Sequence, residues 1–207
     1  MKRSSSYFRS KDPRKANLGD DFETLLGYVH AAYQEAGVAC VRKMPTEFIP
    51  IRDYSGRVVD CKVERKSDVD YLGRYKSIPV AVEAKHTDES RILFSRVKPH
   101  QAEFMDVFTS DPHAAGIVVV SFGLKRFFAV PWEFWDTARA LWGYRIDKNR
   151  KCAKAIVEKY GYRWESPGMA SVSADELLPE WEFKLSHENP FYLPYLSIVD
   201  RMMGWHT

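Results

Sequence analysis

Asp70, Glu83 and Lys85 are the residues of this chain whose types and spacing suit them to joint chemistry. They lie within Ser67 to Lys85, where two strand-like segments flank a Gly73-Arg74 turn. The second segment, Ile78 to Ala84, is a short apolar run of the kind that forms a buried strand, and it ends in Glu83-Ala84-Lys85. Residues two apart on a strand share a face, so Glu83 and Lys85 project together. A carboxylate and an ammonium at the exit of a buried strand are costly to place unless something binds them. Asp70 sits upstream, on the strand end or turn that returns toward the same edge. Two carboxylates make an oxygen site suited to magnesium, which keeps several waters and takes substrate phosphate. Lys85 would then orient or deprotonate an attacking water, or hold the scissile phosphate. Such a set does metal-assisted hydrolysis. The plainer reading of the same residues is a strand end with a surface Glu-Lys pair.

The elements that must position these groups follow from the flanking pattern. Residues 1–17 read as a disordered arm. A helix is predicted from Gly19, with Phe22, Leu25, Leu26, Val29, Ala32 and Tyr33 at helical spacing, acidic residues in the first turn and Gly37 just past the end. Glu23 flanks that stripe, either as a solvated first-turn residue or as a third carboxylate turned toward the site. Val38 to Lys43 is a short strand. Phe48 to Arg52 and Val58 to Lys66, joined at Tyr54-Ser55-Gly56-Arg57, form a hairpin trimmed with Arg52, Arg57, Lys62, Arg65 and Lys66. Its position directly before the motif favours a DNA contact over an ordinary surface hairpin.

A polar loop at 86–90 leads to a helix over Lys98 to Ser110, with Gln101 in its first turn. Ala115 to Phe122 is a strongly apolar strand, and Arg126 to Val130 is another. Pro131 opens a helix through Trp142, with proline at the favoured first position. Beyond Gly143 a basic helix is expected over Asp147 to Tyr160, a loop over 161–173 and a closing helix over Leu193 to Met203. His86 and His100 flank the site in sequence and read as solvated or structural.

Composition narrows the class. A chain of 207 residues is long enough for one domain with a full core. It has no run of about 18 apolar residues, so no membrane span is expected. The basic, serine-rich N-terminus lacks the apolar segment of a secretory signal. Cys40, Cys61 and Cys152 are odd in number and scattered, which argues against a disulfide framework and a zinc site and favours the reducing cytoplasm. Net charge is +3, yet Lys2, Arg3, Arg9, Lys11, Arg14 and Lys15 against Asp12 put +5 on residues 1–16, leaving 3 − 5 = −2 for the rest. An arm this basic, Arg14 and Lys15 included, suits a phosphate backbone; a merely solvated terminus is its other reading. GxGxxG, P-loop and nucleophile-elbow motifs are absent.

The larger pattern runs in a fixed order. Gly19 and Glu23 lie on the first helix, and Lys43-Met44-Pro45-Thr46 follows the first strand. Next come Ser67-Asp68-Val69-Asp70-Tyr71-Leu72-Gly73, Glu83-Ala84-Lys85, Thr87, Phe94, His100-Gln101 and Gly116-Ile117. Pro194-Tyr195-Leu196 and Val199-Asp200 stand near the end. Together these resemble the RecU-type Holliday junction resolvases of the PD-(D/E)XK nuclease superfamily. The resemblance implies an α/β, restriction-endonuclease-like fold: a mixed β-sheet flanked by helices, with a protruding hairpin stalk. It implies a homodimeric endonuclease that binds four-way junction DNA and cuts opposing strands in recombination and repair. The cofactor would be Mg2+, with Mn2+ as a substitute. By the same resemblance Asp70 and Glu83 are metal ligands, Lys85 the catalytic lysine, Glu23 and Gln101 supporting site residues, and Pro45 to Lys66 the stalk that enters the junction.

The chain departs from that pattern in two places. The usual Thr-Thr before the Asp is Asp68-Val69 here, which removes two hydroxyls and adds a charge. Residues 143–190 exceed the family core. The expected division is therefore a basic arm over 1–17, a nuclease core over 18–142 with the stalk at 45–66, and a helical C-terminal extension over 143–207 packed on the core or on a dimer partner. Two other readings share much of this pattern: a PD-(D/E)XK nuclease of restriction or repair specificity, and a non-cleaving DNA-binding protein on the same fold.

Overall fold

The computed structural model describes residues 13–65, 67–143, 170–186 and 193–204. Its centre is a parallel pair, β5 (Ile78–Thr87) and β7 (Ala115–Phe122), whose β-branched runs are buried in the manner of strands covered on both faces. Around them β1 (Ala39–Lys43), β4 (Tyr71–Tyr75), β8 (Arg126–Pro131) and β10 (Glu182–Phe183) complete a mixed sheet of order β1-β4-β5-β7-β8-β10. A short pair, β6 (Arg91–Leu93) and β9 (Ser171–Ser173), stands apart from it. Gly73 lets β4 approach β1: a Cβ there would lie 2.0 Å from the Cys40 carbonyl oxygen.

Helices flank the sheet because their apolar stripes have nowhere else to go. In α1 (Pro13–Glu35), Phe22, Leu26, Val29 and Tyr33 recur at three and four residues and are all buried. Phe22 stacks on Phe127 of β8, ring centroids 6.1 Å apart. In α3 (Trp132–Gly143), Trp135 meets Phe94 edge-on at 5.2 Å and directs its indole N–H at the Phe94 carbonyl oxygen, 3.3 Å away. The helix α2 (Pro99–Phe108) contributes Ala102 and Met105 to the same core. Among the described residues no helix is long and apolar enough to cross a membrane.

The hairpin is a separate two-stranded sheet, β2 (Glu47–Arg52) and β3 (Val58–Arg65), joined through Asp53–Arg57. Gly56 takes φ +81° at the turn, which glycine adopts without strain. Both strands stand in solvent, and Phe48, Val59 and Val63 are more than two-fifths exposed.

Four expectations require correction. Gly73 and Arg74 do not form the turn but lie within β4, paired with Val80 and Pro79, and the chain turns back at Lys76-Ser77 instead. The strand carrying Glu83 and Lys85 does not end at Ala84 but runs to Thr87, because β7 pairs His86 with Ser121 and Thr87 with Phe122 through the backbone. The helix α1 begins at Pro13, inside the expected arm, since proline loses nothing in a first turn where its missing N–H has no partner. Among the described residues after 143, the chain forms strands β9 and β10, 3-10 turns and a short helix, α4 (Ile198–Met202), so those parts of the expected helical extension are not helical throughout. Pairing with β6 and β8 accounts for those strands; the helix expected over Asp147 to Tyr160 lies outside the described residues.

That C-terminal stretch shares the core. The Tyr33 hydroxyl donates to the Leu193 carbonyl at 2.9 Å and accepts the Leu196 N–H at 3.1 Å. His30 Nε2 lies 2.6 Å from the Tyr195 hydroxyl, and burial lowers the His30 pKa to about 4. Asp200 accepts from the Tyr75 hydroxyl at 2.9 Å and from Lys76 Nζ at 2.7 Å.

Candidate active site

Register brings the three sequence-selected residues together. The β4–β5 pairing ends at Tyr71 opposite Val82, so Asp70 and Glu83 come next in line. Beyond that rung β5 continues alongside β7, with Glu83 opposite Val118 and Lys85 opposite Val120. Asp70 Oδ2 accepts the Ala84 backbone N–H at 2.8 Å, which fixes the carboxylate against β5. Lys85 Nζ stands 3.9 Å from the same oxygen and donates to Glu83 Oε1.

Glu83 is wholly buried, and its Oε2 has no hydrogen-bond partner. Desolvation raises its pKa well above the carboxylate range; Lys85 opposes this and Asp70 reinforces it. A buried, orphaned carboxylate oxygen beside a second carboxylate is the environment a divalent cation relieves. Among the described residues no cluster of three or more His, Cys, Asp or Glu side chains could hold a metal. Asp70 and Glu83 could offer two carboxylates to a cation such as magnesium, which keeps several waters and takes phosphate oxygens.

Next to this group lies a cleft of about 340 Å³ lined by Phe22, Glu23, Ala84, Lys85, His86, Arg96, Lys98 and Gln101. Glu23 and Gln101, from opposite elements, thus both reach it. The Glu23 carboxylate pairs with Lys43 Nζ. Gln101 is buried rather than solvated, and its Oε1 accepts the Lys98 N–H at 2.9 Å, closing the first turn of α2. His86, Arg96 and Lys98 are cleft residues that sequence reasoning did not select. The available signal was the alternation Arg96-Val97-Lys98 before Pro99, with the apolar residue in the middle.

The basic residues of the hairpin stay apart from this cleft. Arg52 Nη1 donates to the Gly56 carbonyl at 2.8 Å, and Arg57 Nε lies 3.6 Å from Asp53 Oδ2, so both guanidiniums brace the turn while remaining exposed. Asp53 Oδ1 also accepts the Ser55 and Arg57 N–H groups, at 2.9 and 3.0 Å. Lys62 is exposed opposite Ile49. Arg65 pairs with Glu47 through the backbone, but its side chain and all of Lys66 lie outside the description. Arg14 and Lys15 fall in the first turn of α1, again without described side chains.

Residues 17–169 match the family described as RecU, recombination protein U. The chain belongs to the RecU family. That match covers Glu23, Asp70, Glu83, Lys85, Gln101 and the whole hairpin, but not Arg14 or Lys15; it also runs through residue 169, so the chain exceeds the matched family region only after 169, not from 143 as expected. A Holliday junction resolvase RecU of Streptococcus pneumoniae (strain Hungary19A-6) is 31% identical over 169 residues, 78% of this chain and 82% of its own. The corresponding RecU of Streptococcus sanguinis (strain SK36) is 24% identical over 172 residues, 80% of this chain and 84% of its own. The solved structure of Archaeoglobus fulgidus Hjc, a Holliday junction resolvase from an archaeal hyperthermophile, aligns with a TM-score of 0.39 at 11% identity. It covers 76% of this chain and 90% of its own, too distant a likeness to carry an argument.

Proposed function

We propose that this RecU-family chain is a structure-selective endonuclease that binds four-way DNA junctions and resolves them by hydrolysing phosphodiester bonds in recombination and repair. The observation that carries the reading is Glu83: a wholly buried carboxylate with an orphaned oxygen, one rung from Asp70 and sharing a strand face with Lys85. Family membership supplies the substrate.

Asp70 and Glu83 hold a divalent cation, Mg2+ in this reading, with Mn2+ as a substitute. When bound, the cation polarises the scissile phosphate and lowers the pKa of water beside it. The chain's own residues do the rest. The Ala84 N–H fixes Asp70. Lys85 is bound to Glu83 before substrate enters, so its ammonium is already placed to hold the scissile phosphate or orient the attacking water. Glu23 and Gln101 shape the cleft from α1 and α2. The exposed hairpin acts as the stalk, presenting Arg52, Arg57 and Lys62 to the junction, and Arg65 and Lys66 add to the same DNA contact.

A homodimer suits this substrate, because two symmetric incisions need one surface used twice. The cytoplasm is the compartment assigned, consistent with the free thiols Cys40 and Cys61. The test compares Asp70→Asn, Glu83→Gln and Lys85→Ala with wild type on a labelled synthetic junction. Each variant should lose incision but keep junction binding, since affinity comes mainly from phosphate contacts. Near-normal cutting by Asp70→Asn or Glu83→Gln contradicts the site. Light scattering that finds a monomer making paired cuts contradicts the dimer.

A further inference from the structure

Arg96 and Lys98 enter the cleft for a reason local to the chain. Phe94–Arg96 is a 3-10 turn anchored by buried Phe94, and the backbone then becomes extended at Val97 (φ −76°, ψ 120°) and Lys98 (φ −78°, ψ 159°). Neighbours in extended chain alternate sides. Val97 is 2% exposed and takes the core side, while Arg96, the last residue of that turn, and Lys98 both line the cleft that also contains Lys85. Arg96 Nη2 donates to the His86 carbonyl oxygen at 3.0 Å, tying the guanidinium to the residue directly after Lys85. His86 itself lies 3.2 Å from the Ser121 hydroxyl and 3.3 Å from Asp88 Oδ1, which steadies the segment to which Arg96 is tied.

The charges of the cleft are unevenly matched. Lys85 is paired with Glu83, and Glu23 with Lys43. Among the described residues, neither Arg96 nor Lys98 meets a carboxylate within ion-pair distance. Cations gathered in one concave site repel one another, and an anion entering among them removes that cost. Lys85, Arg96 and Lys98 all line this one cleft, and three cations can take more than one backbone phosphate.

We propose that Arg96 and Lys98 form a second phosphate subsite, which grips the backbone phosphates next to the scissile one and sets the path of the cut strand past Asp70 and Glu83. The subsite rests on the nuclease reading above and adds to it the contact that aligns the strand. Arginine contributes a fork for phosphate oxygens and lysine a point charge, so the pair reads backbone and not base sequence.

The experiment uses the full chain in a Glu83→Gln background, where strand cutting does not interfere with binding. Junctions carrying a single neutral methylphosphonate are walked through the positions around the incision phosphate. With Arg96 and Lys98 intact, affinity should fall at one or two positions flanking that phosphate. In the Arg96→Gln/Lys98→Gln variant the fall at those positions should vanish. The logarithmic salt slope on duplex should also become shallower by about 1.8, two phosphates at roughly 0.9 each. Lys98→Gln alone, at an exposed side chain, should give about half that change and guards against disturbance of His86 by the arginine substitution. A methylphosphonate effect that persists in the double variant, or an unchanged salt slope, overturns the subsite. Incision by the wild-type protein is measured alongside. If wild type cuts no junction, the nuclease reading is what fails, while the salt slopes still decide whether Arg96 and Lys98 hold phosphate.

Discussion

Magnesium should stabilise the fold, and Glu83 should be the residue through which it does so. The orphaned Oε2 of a wholly buried carboxylate leaves a desolvation cost of about 1–3 kcal/mol or more uncompensated in the metal-free protein. A cation that binds only the folded state at a hundred times its dissociation constant contributes about 2.7 kcal/mol. For a chain of this size each kcal/mol moves the midpoint by roughly 2–4 °C, so the expected gain in Tm is roughly 5–10 °C. The gain depends on pH. Burial raises the Glu83 pKa from 4.5 to about 8, so the metal-free folded state keeps a proton that the unfolded chain has shed. Metal-free stability from this group therefore declines as pH rises from 4.5 toward 8. The cation displaces that proton, so its effect should be small at a pH of about 5.5 and full at a pH of about 8.5. Glu83→Gln cannot ionise and should lose both the magnesium gain and this pH slope. Thermal unfolding followed by circular dichroism, in chelator or in excess magnesium at the two pH values, reads all of these. Equal magnesium gains in wild type and Glu83→Gln would show that the stabilisation does not act through Glu83.

Two further outcomes are expected. His30 is held neutral by burial, its pKa lowered from 6.5 to about 4, so its contribution is complete above pH 6.5 and is lost as pH falls toward 4, by about 3 kcal/mol. His30→Gln can still hydrogen-bond Tyr195 and should flatten that loss in urea denaturation at neutral and acid pH; an unchanged acid slope would contradict it. Trimming the exposed turn from Tyr54 to Arg57 should lower the preference for junction over duplex in competition binding while leaving duplex affinity nearly intact. An unchanged ratio would make the hairpin an ordinary surface feature and favour a nuclease of other specificity.

How far the sequence reaches depends on where each element's stability comes from. Ala115–Phe122 is legible to the residue because an eight-residue apolar run interrupted by a single polar residue, Ser121, can be stable only in the middle of a sheet. The meeting of Asp70 with Glu83 is legible because one tight turn between antiparallel strands leaves little freedom of register. The depth of Glu83 is not. His86 and Thr87 look like loop, yet backbone pairing to β7 is indifferent to their polarity and carries the strand three residues further. The two residues of β10 carry no period at all and form a strand only because β8 offers an edge. The contact between His30 and Tyr195 spans 165 positions, beyond the reach of any local pattern. Arg96 and Lys98 become cleft residues through the burial of Val97, a tertiary fact that their charges alone do not announce.

Asp70, Glu83 and Lys85 should serve the resolution of a junction and not general DNA hydrolysis. This is tested most directly by incubating the wild-type chain with a synthetic four-way junction, a matched duplex and a flap, each with magnesium and with chelator, and mapping the cuts on denaturing gels. Paired, symmetric incisions on opposing strands of the junction are expected, dependent on magnesium, with duplex and flap left largely intact. Comparable cutting of all three substrates, or junction cutting that persists in chelator, would contradict this.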